Sequence, residues 1–162
     1  MKHLSIKHIA EGVKIGKNTK IWHFTYIGDH TEIGDDTNIG SLTHIDHHVK
    51  IGSRCRIQGM VYIPPYTVIK DHVFIGPGVV FTNDPYPPSG RLSGVTVESD
   101  SIICASAVIN AGVTIGESAV VGMGAAVTHN VKPKTVVFGI PASTRYGYEE
   151  YRSKQLNWIN QR

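Results

Sequence analysis

Residues 25–52 read TYIGDHTEIGDDTNIGSLTHIDHHVKIG. Isoleucine returns there at every sixth place, at 27, 33, 39, 45 and 51, with Thr or Val two places before it and often Gly one place after it. Followed outward, the series runs unbroken from Ile9 to Ile75, twelve isoleucines in all, and Phe81 takes the next place. The frame breaks after Phe81 and resumes, shifted, at Val97, Ile103, Ile109, Ile115, Val121 and Val127. A helix repeats at about 3.6 residues and a simple strand at about 2, so neither alone gives a period of six. A short strand followed by a tight turn does. The residues at i−2 and i then face inward together, and the glycine is assigned to the turn. Three such units close a triangular coil, and coils stack about 4.8 Å apart with parallel hydrogen bonding. The two blocks predict about six coils, a prism roughly 30 Å long with a column of isoleucines as its core.

The chain has 162 residues, a length for one domain with a tail. We place the β domain at 1–145 and a helical tail at 146–162. The net charge of +3 is too mild to mark a nucleic-acid or membrane-surface binder. No apolar run reaches the length of a transmembrane helix, and MKHLSIKHIAEG at the start lacks the apolar core of a secretory signal. Two cysteines, Cys55 and Cys104, make no disulfide framework and fit a reducing, cytoplasmic setting. Charged residues are only 18% and glycines number 17, which argues against helical bundles.

Two stretches depart from the repeat. Residues 82–96, TNDPYPPSGRLSGVT, hold three prolines and two glycines and predict one shaped loop protruding from the prism. After Val127 the repeat gives way, and Tyr148, Tyr151, Gln155, Trp158 and Ile159 share one side of a short C-terminal helix. Such a helix is expected to cap the open coil end, which is otherwise a bare strand edge.

The repeat resembles the hexapeptide-repeat family, whose fold is an all-β, left-handed parallel β-helix. Handedness comes from that resemblance; parallel crossovers are ordinarily right-handed. IWHF at 21–24, VFIGPGVVFTN at 73–83, AGVTIG at 111–116, VVGMGAAVTHNV at 120–131 and FGIPAST at 138–144 narrow the likeness. With these the chain is most similar to nucleotide-sugar N-acetyltransferases. It departs from them at Cys104–Ala107, where relatives commonly read G-A-N-A, and in a shorter loop after FTN. The resemblance implies acetyl-CoA as acyl donor, an amino-deoxy sugar on a nucleotide as acceptor, no metal, and a homotrimer with active sites in grooves between neighbouring prisms.

It also implies where the site residues lie. CoA would run along the later coils, past the backbone of Ala105, Gly122 and Gly124, with Lys132, Lys134 and Arg145 clustered near its phosphates and His129 near its tail. Asn83, at the entrance to the loop, would sit beside the reacting amine, holding it or the oxyanion; its amide is no base at neutral pH. Asp84 beside it is a candidate base or a turn initiator before Pro85. Residues eighteen apart share a column, so Pro65 and then His47 lie below Asn83, flanked by His44 and His48. His47 is the candidate catalytic imidazole. His44, His48, Gln58 and Glu98 are candidate substrate contacts.

Other functions are weighed on spacing. A gamma-class carbonic anhydrase needs an H-x4-H zinc pair, and that spacing occurs only at His3 and His8. An O-acetyltransferase needs a strong base for a hydroxyl acceptor, whereas the FTN entrance favours an amine. A non-enzymatic assembly module would show a featureless repeat.

Overall fold

The computed structural model describes residues 6–161. Each six-residue unit forms a two-residue strand ending at the repeat aliphatic, as in Tyr26–Ile27, Glu32–Ile33 and Asn38–Ile39. Successive strands fall on three different faces, A, B and C, of a left-handed parallel β-helix. Face A carries Tyr26–Ile27, His44–Ile45, Tyr62–Ile63, Val80–Phe81, Val108–Ile109 and Ala126–Val127, with His8–Ile9 at its start. The register places Ile9 against Ile27, Ile27 against Ile45 and Ile45 against Ile63. On face B, Ile69 lies opposite Val97, a separation of 28 instead of 18, so the loop adds ten residues to the fifth coil.

Face A holds seven strands, so the helix has about seven coils, one more than the sequence spacing predicts. The last coil abandons that spacing. On face B it keeps only a bridge from Val131 to Ile115, and on face C it runs as the longer strand Thr135–Phe138.

The repeat isoleucines from Ile27 to Ile115 are buried in one continuous column with Phe81, Val97 and Val121, whereas Ile9 and Ile15 of the first coil are exposed. The threonines two places earlier are buried too, and every such hydroxyl except that of Thr67 finds a carbonyl in the next coil. Thr31 Oγ1 donates to Asp46 O at 2.9 Å, Thr37 to Gly52 O at 3.0 Å and Thr43 to Gln58 O at 3.1 Å. A buried hydroxyl is tolerated because it is satisfied.

The glycines after isoleucine do not serve the turn as the sequence reading assigns them. Positive φ falls instead on a later place, taken by His30, Asp36, Leu42, His48, Met60 and Tyr66 among fourteen non-glycine residues. The glycine is there because the next coil passes too close for a side chain. A Cβ on Gly28 would meet His47 N at 2.6 Å, and one on Gly76 would meet Ala105 N at 2.5 Å.

The C-terminal helix forms at Tyr148–Ile159, two residues later than the tail boundary, but it does not cap the prism. The end is crossed by 139–142: Ala126 N donates to Gly139 O, Ala142 N donates to Ala126 O, and Ala142 packs on the core. The strand Ser143–Gly147 then pairs antiparallel with Thr135–Phe138, which covers that edge and aims the helix back along face C. Tyr148, Tyr151 and Gln155 are half-buried against the body, beside Ile102 and Cys104. Trp158 and Ile159, expected on the same side, are exposed.

Ile63→Ala, in the middle of the column, is expected to cost about 2–5 kcal/mol in chemical denaturation, because a stack of coils cannot collapse sideways into the gap.

Candidate active site

The loop leaves and rejoins the prism at the edge between faces A and B. Ser93 N donates to Asn83 O at 2.7 Å and pinches its base, and Gly112 N in the coil above donates to Ser93 O. Thr67 lies directly below. Its hydroxyl is fully buried with no hydrogen-bond partner among the described residues, because the chain turns out into the loop where its partner carbonyl would be. The Asn83 side-chain amide is half-buried and makes no hydrogen bond to the described residues. It is therefore free to take a ligand.

Asp84 is committed within the loop. Its carboxylate accepts from Tyr86 N at 3.0 Å, from Ser89 N at 2.7 Å and from Ser89 Oγ at 2.7 Å. The Ser89 hydroxyl chiefly, opposed by desolvation and helped by the backbone amides of Tyr86, Ser89 and Gly90, holds its carboxyl below the usual carboxylate range. The geometry makes it a weak base and a good loop organiser, which favours the turn role over the catalytic one.

Below Asn83 the A–B edge carries the residues that column arithmetic places there. Phe81 follows Ile63 and Ile45 along face A, so Pro65 lies one coil below Asn83 and His47 two, about 10 Å away at the usual strand spacing. His47 Nδ1 and His48 Nδ1 are 2.9 Å apart, so one ring donates and the other accepts. His44 is elsewhere. It projects outward from face A, in a ladder with Tyr26 at 4.5 Å and Tyr62 at 5.5 Å between ring centroids. His129 also joins the Asn83 column, two coils above it, and not the edge that carries Gly122.

The edge between faces C and A carries Gln58, Ala105, Gly122 and Gly124, one to each of successive coils except the glycine-bounded coil of Gly76 and Gly78 and the shared turn of Gly122 and Gly124. Gly122 is a packing glycine, its Cβ position 2.6 Å from Phe138 Cβ. Gly124 differs: φ is +64° and nothing lies within 4 Å of its Cβ position, so its backbone is bare to solvent. Arg145 stands at the top of this edge, its guanidinium 4.8 Å from the Phe138 ring centroid. Lys132 and Lys134 do not cluster with it. They belong to the B–C edge, where Lys132 and Glu98 line one cavity with Thr114 and Pro133. Antiparallel pairing of Thr135–Phe138 with Ser143–Gly147 separates the cations, because Lys134 lies at the Gly147 end and Arg145 reaches toward Phe138.

Neither cysteine is activated. Burial raises the Cys55 thiol to about 11 and pushes the Cys104 thiol up as well. Among the described residues no group of three His, Cys, Asp or Glu is placed to hold a metal, and His3 lies outside them.

Residues 30–65 match the family model described as bacterial transferase hexapeptide (six repeats), and residues 94–129 match the hexapeptide repeat of succinyl-transferase. Two stretches of this chain thus match hexapeptide-repeat families. A tetrahydropyridine-2,6-dicarboxylate N-acetyltransferase of Staphylococcus aureus is 45% identical over 71 residues, 44% of this chain and 29% of that protein. The chain thus spans under a third of the length of the curated relatives it matches. A hexapeptide-repeat-containing acetyltransferase of Vibrio cholerae has a like structure, with TM-score 0.57 and 25% identity over 83% of this chain and 73% of that one. PerB of Caulobacter crescentus, solved with CoA and GDP-perosamine, shares the fold at TM-score 0.57 and 22% identity over 88% of this chain and 55% of that one.

Asp84→Asn should loosen the loop, so trypsin should cut after exposed Arg91 faster than in the wild type. Because the folded-state pKa of Asp84 is depressed, its hold on the loop is present at neutral pH and is lost as pH falls through that lowered value. An acid-active protease such as pepsin should therefore nick the wild-type loop faster as pH drops, while Asp84→Asn shows a flatter response.

Proposed function

We propose that the chain is an acetyl-CoA-dependent N-acetyltransferase acting on the amino group of a nucleotide-linked amino-deoxy sugar. The observation that carries this reading is the free Asn83 amide at the base of the single inserted loop, within the sequence FTN. Acetyl transfer to an amine joins nitrogen to the thioester carbonyl carbon, passes through an oxyanion and expels the CoA thiolate. Asn83 would orient the amine or donate its NH2 to the oxyanion. The proton lost by nitrogen ends on the CoA sulfur, directly or through His47 when its Nδ1 is the donor to His48 and its Nε2 is the basic atom.

The donor side would be the C–A edge. Between Gly78 and Gly124 its turns carry only small side chains at the left-handed places, Gly78, Ser106 and Gly124, which suits close approach of an extended pantetheine arm. Arg145 at the top of that edge is placed for a phosphate.

Asn83 and Gly124 lie on the two edges that bound face A, so in one chain they are separated by its width. A site holding both needs a second copy, and this supports a homotrimer. The lower part of the same C–A edge supports it independently. Phe24, Leu42 and Met60 stand there in one column at 58%, 58% and 61% exposure, with exposed Trp22 alongside. So large an apolar ridge fits a subunit contact better than solvent.

A thiol-release assay with acetyl-CoA and a panel of nucleotide-linked amino sugars tests the activity. Asn83→Ala should lower kcat/KM by about 10–10³-fold with an unchanged melting temperature. Activity should survive a chelator. Light scattering should give three times the mass of the chain, and an active monomer would sink the shared site.

A further inference from the structure

Tyr66 stands one coil below Asn83 and one place further along the A–B edge. Its column begins with His30 and His48, with successive ring centroids 5.0 and 5.7 Å apart. The series then stops. The place above Tyr66 belongs to Gly94, where a Cβ would lie 2.1 Å from Tyr66 O, so no side chain fits there. The ladder therefore ends in a ring that is 50% exposed beneath the base of the loop. The loop itself rises the other way: Pro85, Tyr86, Ser89 and Arg91 enclose a cavity of about 340 Å³ with Ala111 and Gly112 of the coil above. The edge below Asn83 is left open.

The Tyr66 ring is also held in place. Pro64 and Pro65, both buried, fix the backbone that leads into it. His47 meets it edge-on at 5.7 Å and 86°, and His48 supports it from the coil below. An exposed aromatic ring held beside two imidazoles, one coil below a free amide, is a combination suited to a pyranose. The ring takes the apolar C–H face of the sugar against its negative π-face, and the polar groups take its amine and hydroxyls.

We propose that Tyr66 is a specificity-determining residue for the acceptor, carrying on its ring the apolar face of the sugar whose amine Asn83 holds. The proposal rests on the acetyltransferase reading above. A 6-deoxy sugar, whose methyl group extends that apolar face, is favoured over its 6-hydroxy counterpart.

The test is steady-state kinetics with acetyl-CoA and a matched pair of nucleotide-linked amino sugars, one 6-deoxy and one 6-hydroxy. Wild type, Tyr66→Phe and Tyr66→Gly are compared. Glycine suits the backbone there, where φ is +65°, so Tyr66→Gly should melt with the wild type; Tyr66→Leu replaces it if it does not. Tyr66→Gly should raise the acceptor KM about tenfold, as expected for losing one stacked ring, and should erase most of the 6-deoxy preference. The acetyl-CoA KM should stay within about twofold, and Tyr66→Phe should behave as wild type. An unchanged acceptor KM, an equal rise in both KM values, or a Tyr66→Phe as impaired as Tyr66→Gly each overturns the stacking role. Absence of turnover by the wild type on every amino sugar overturns the acetyltransferase reading and this proposal with it, and is seen before any variant is made.

Discussion

The eighteen-residue register between coils is the constraint from which the rest follows. Stacking Ile27 on Ile45 and Ile63 buries one large aliphatic per face in each coil from the second onward, and a slip by one residue would turn every isoleucine outward. The same register lets the hydroxyls of Thr25, Thr31, Thr37 and Thr43 each reach a carbonyl fifteen residues ahead. It also brings backbone so close to backbone that Gly28 and Gly76 admit no side chain. Apolar burial, hydrogen bonding and steric exclusion thus select the same alignment, which is the consistency that a single native structure needs.

A straight stack converts sequence position into place. Residues at one phase of the repeat line one edge, so three edges acquire distinct chemistry. The A–B edge gathers imidazoles and Tyr66 beneath the loop, the C–A edge is apolar in its lower coils and bare in its upper ones, and the B–C edge is charged. The loop is where the alignment is interrupted by an insertion, and Thr67 records the interruption as a buried hydroxyl left without its carbonyl. Such a cost is tolerated where a loop carries function. The same geometry keeps Asn83 and Gly124 apart within one chain, so the argument for a shared site comes from the prism's shape.

What the sequence by itself determined is the periodic part. The six-residue spacing was enough for short strands, three faces, an isoleucine column, a single loop and the His47–Pro65–Asn83 alignment, because each depends only on counting along a regular stack. Tyr66 was legible by the same counting, since places 12, 30, 48 and 66 read Gly, His, His and Tyr; Gly94 above it was not, because the insertion hides its register. Tertiary structure decided whatever depends on an interruption or on the far side of a neighbour. It gave the glycines a packing role in place of a turn role, added a seventh coil where aliphatic spacing fails, and turned the helix along face C after 139–142 had closed the end. It also sent Lys134 and Arg145 to different edges, because an antiparallel strand reverses the chain between them. Periodicity fixes position only while the period lasts; beyond Phe81 and Val127, hydrogen bonding across the loop base and the strand edge decides where each side chain stands.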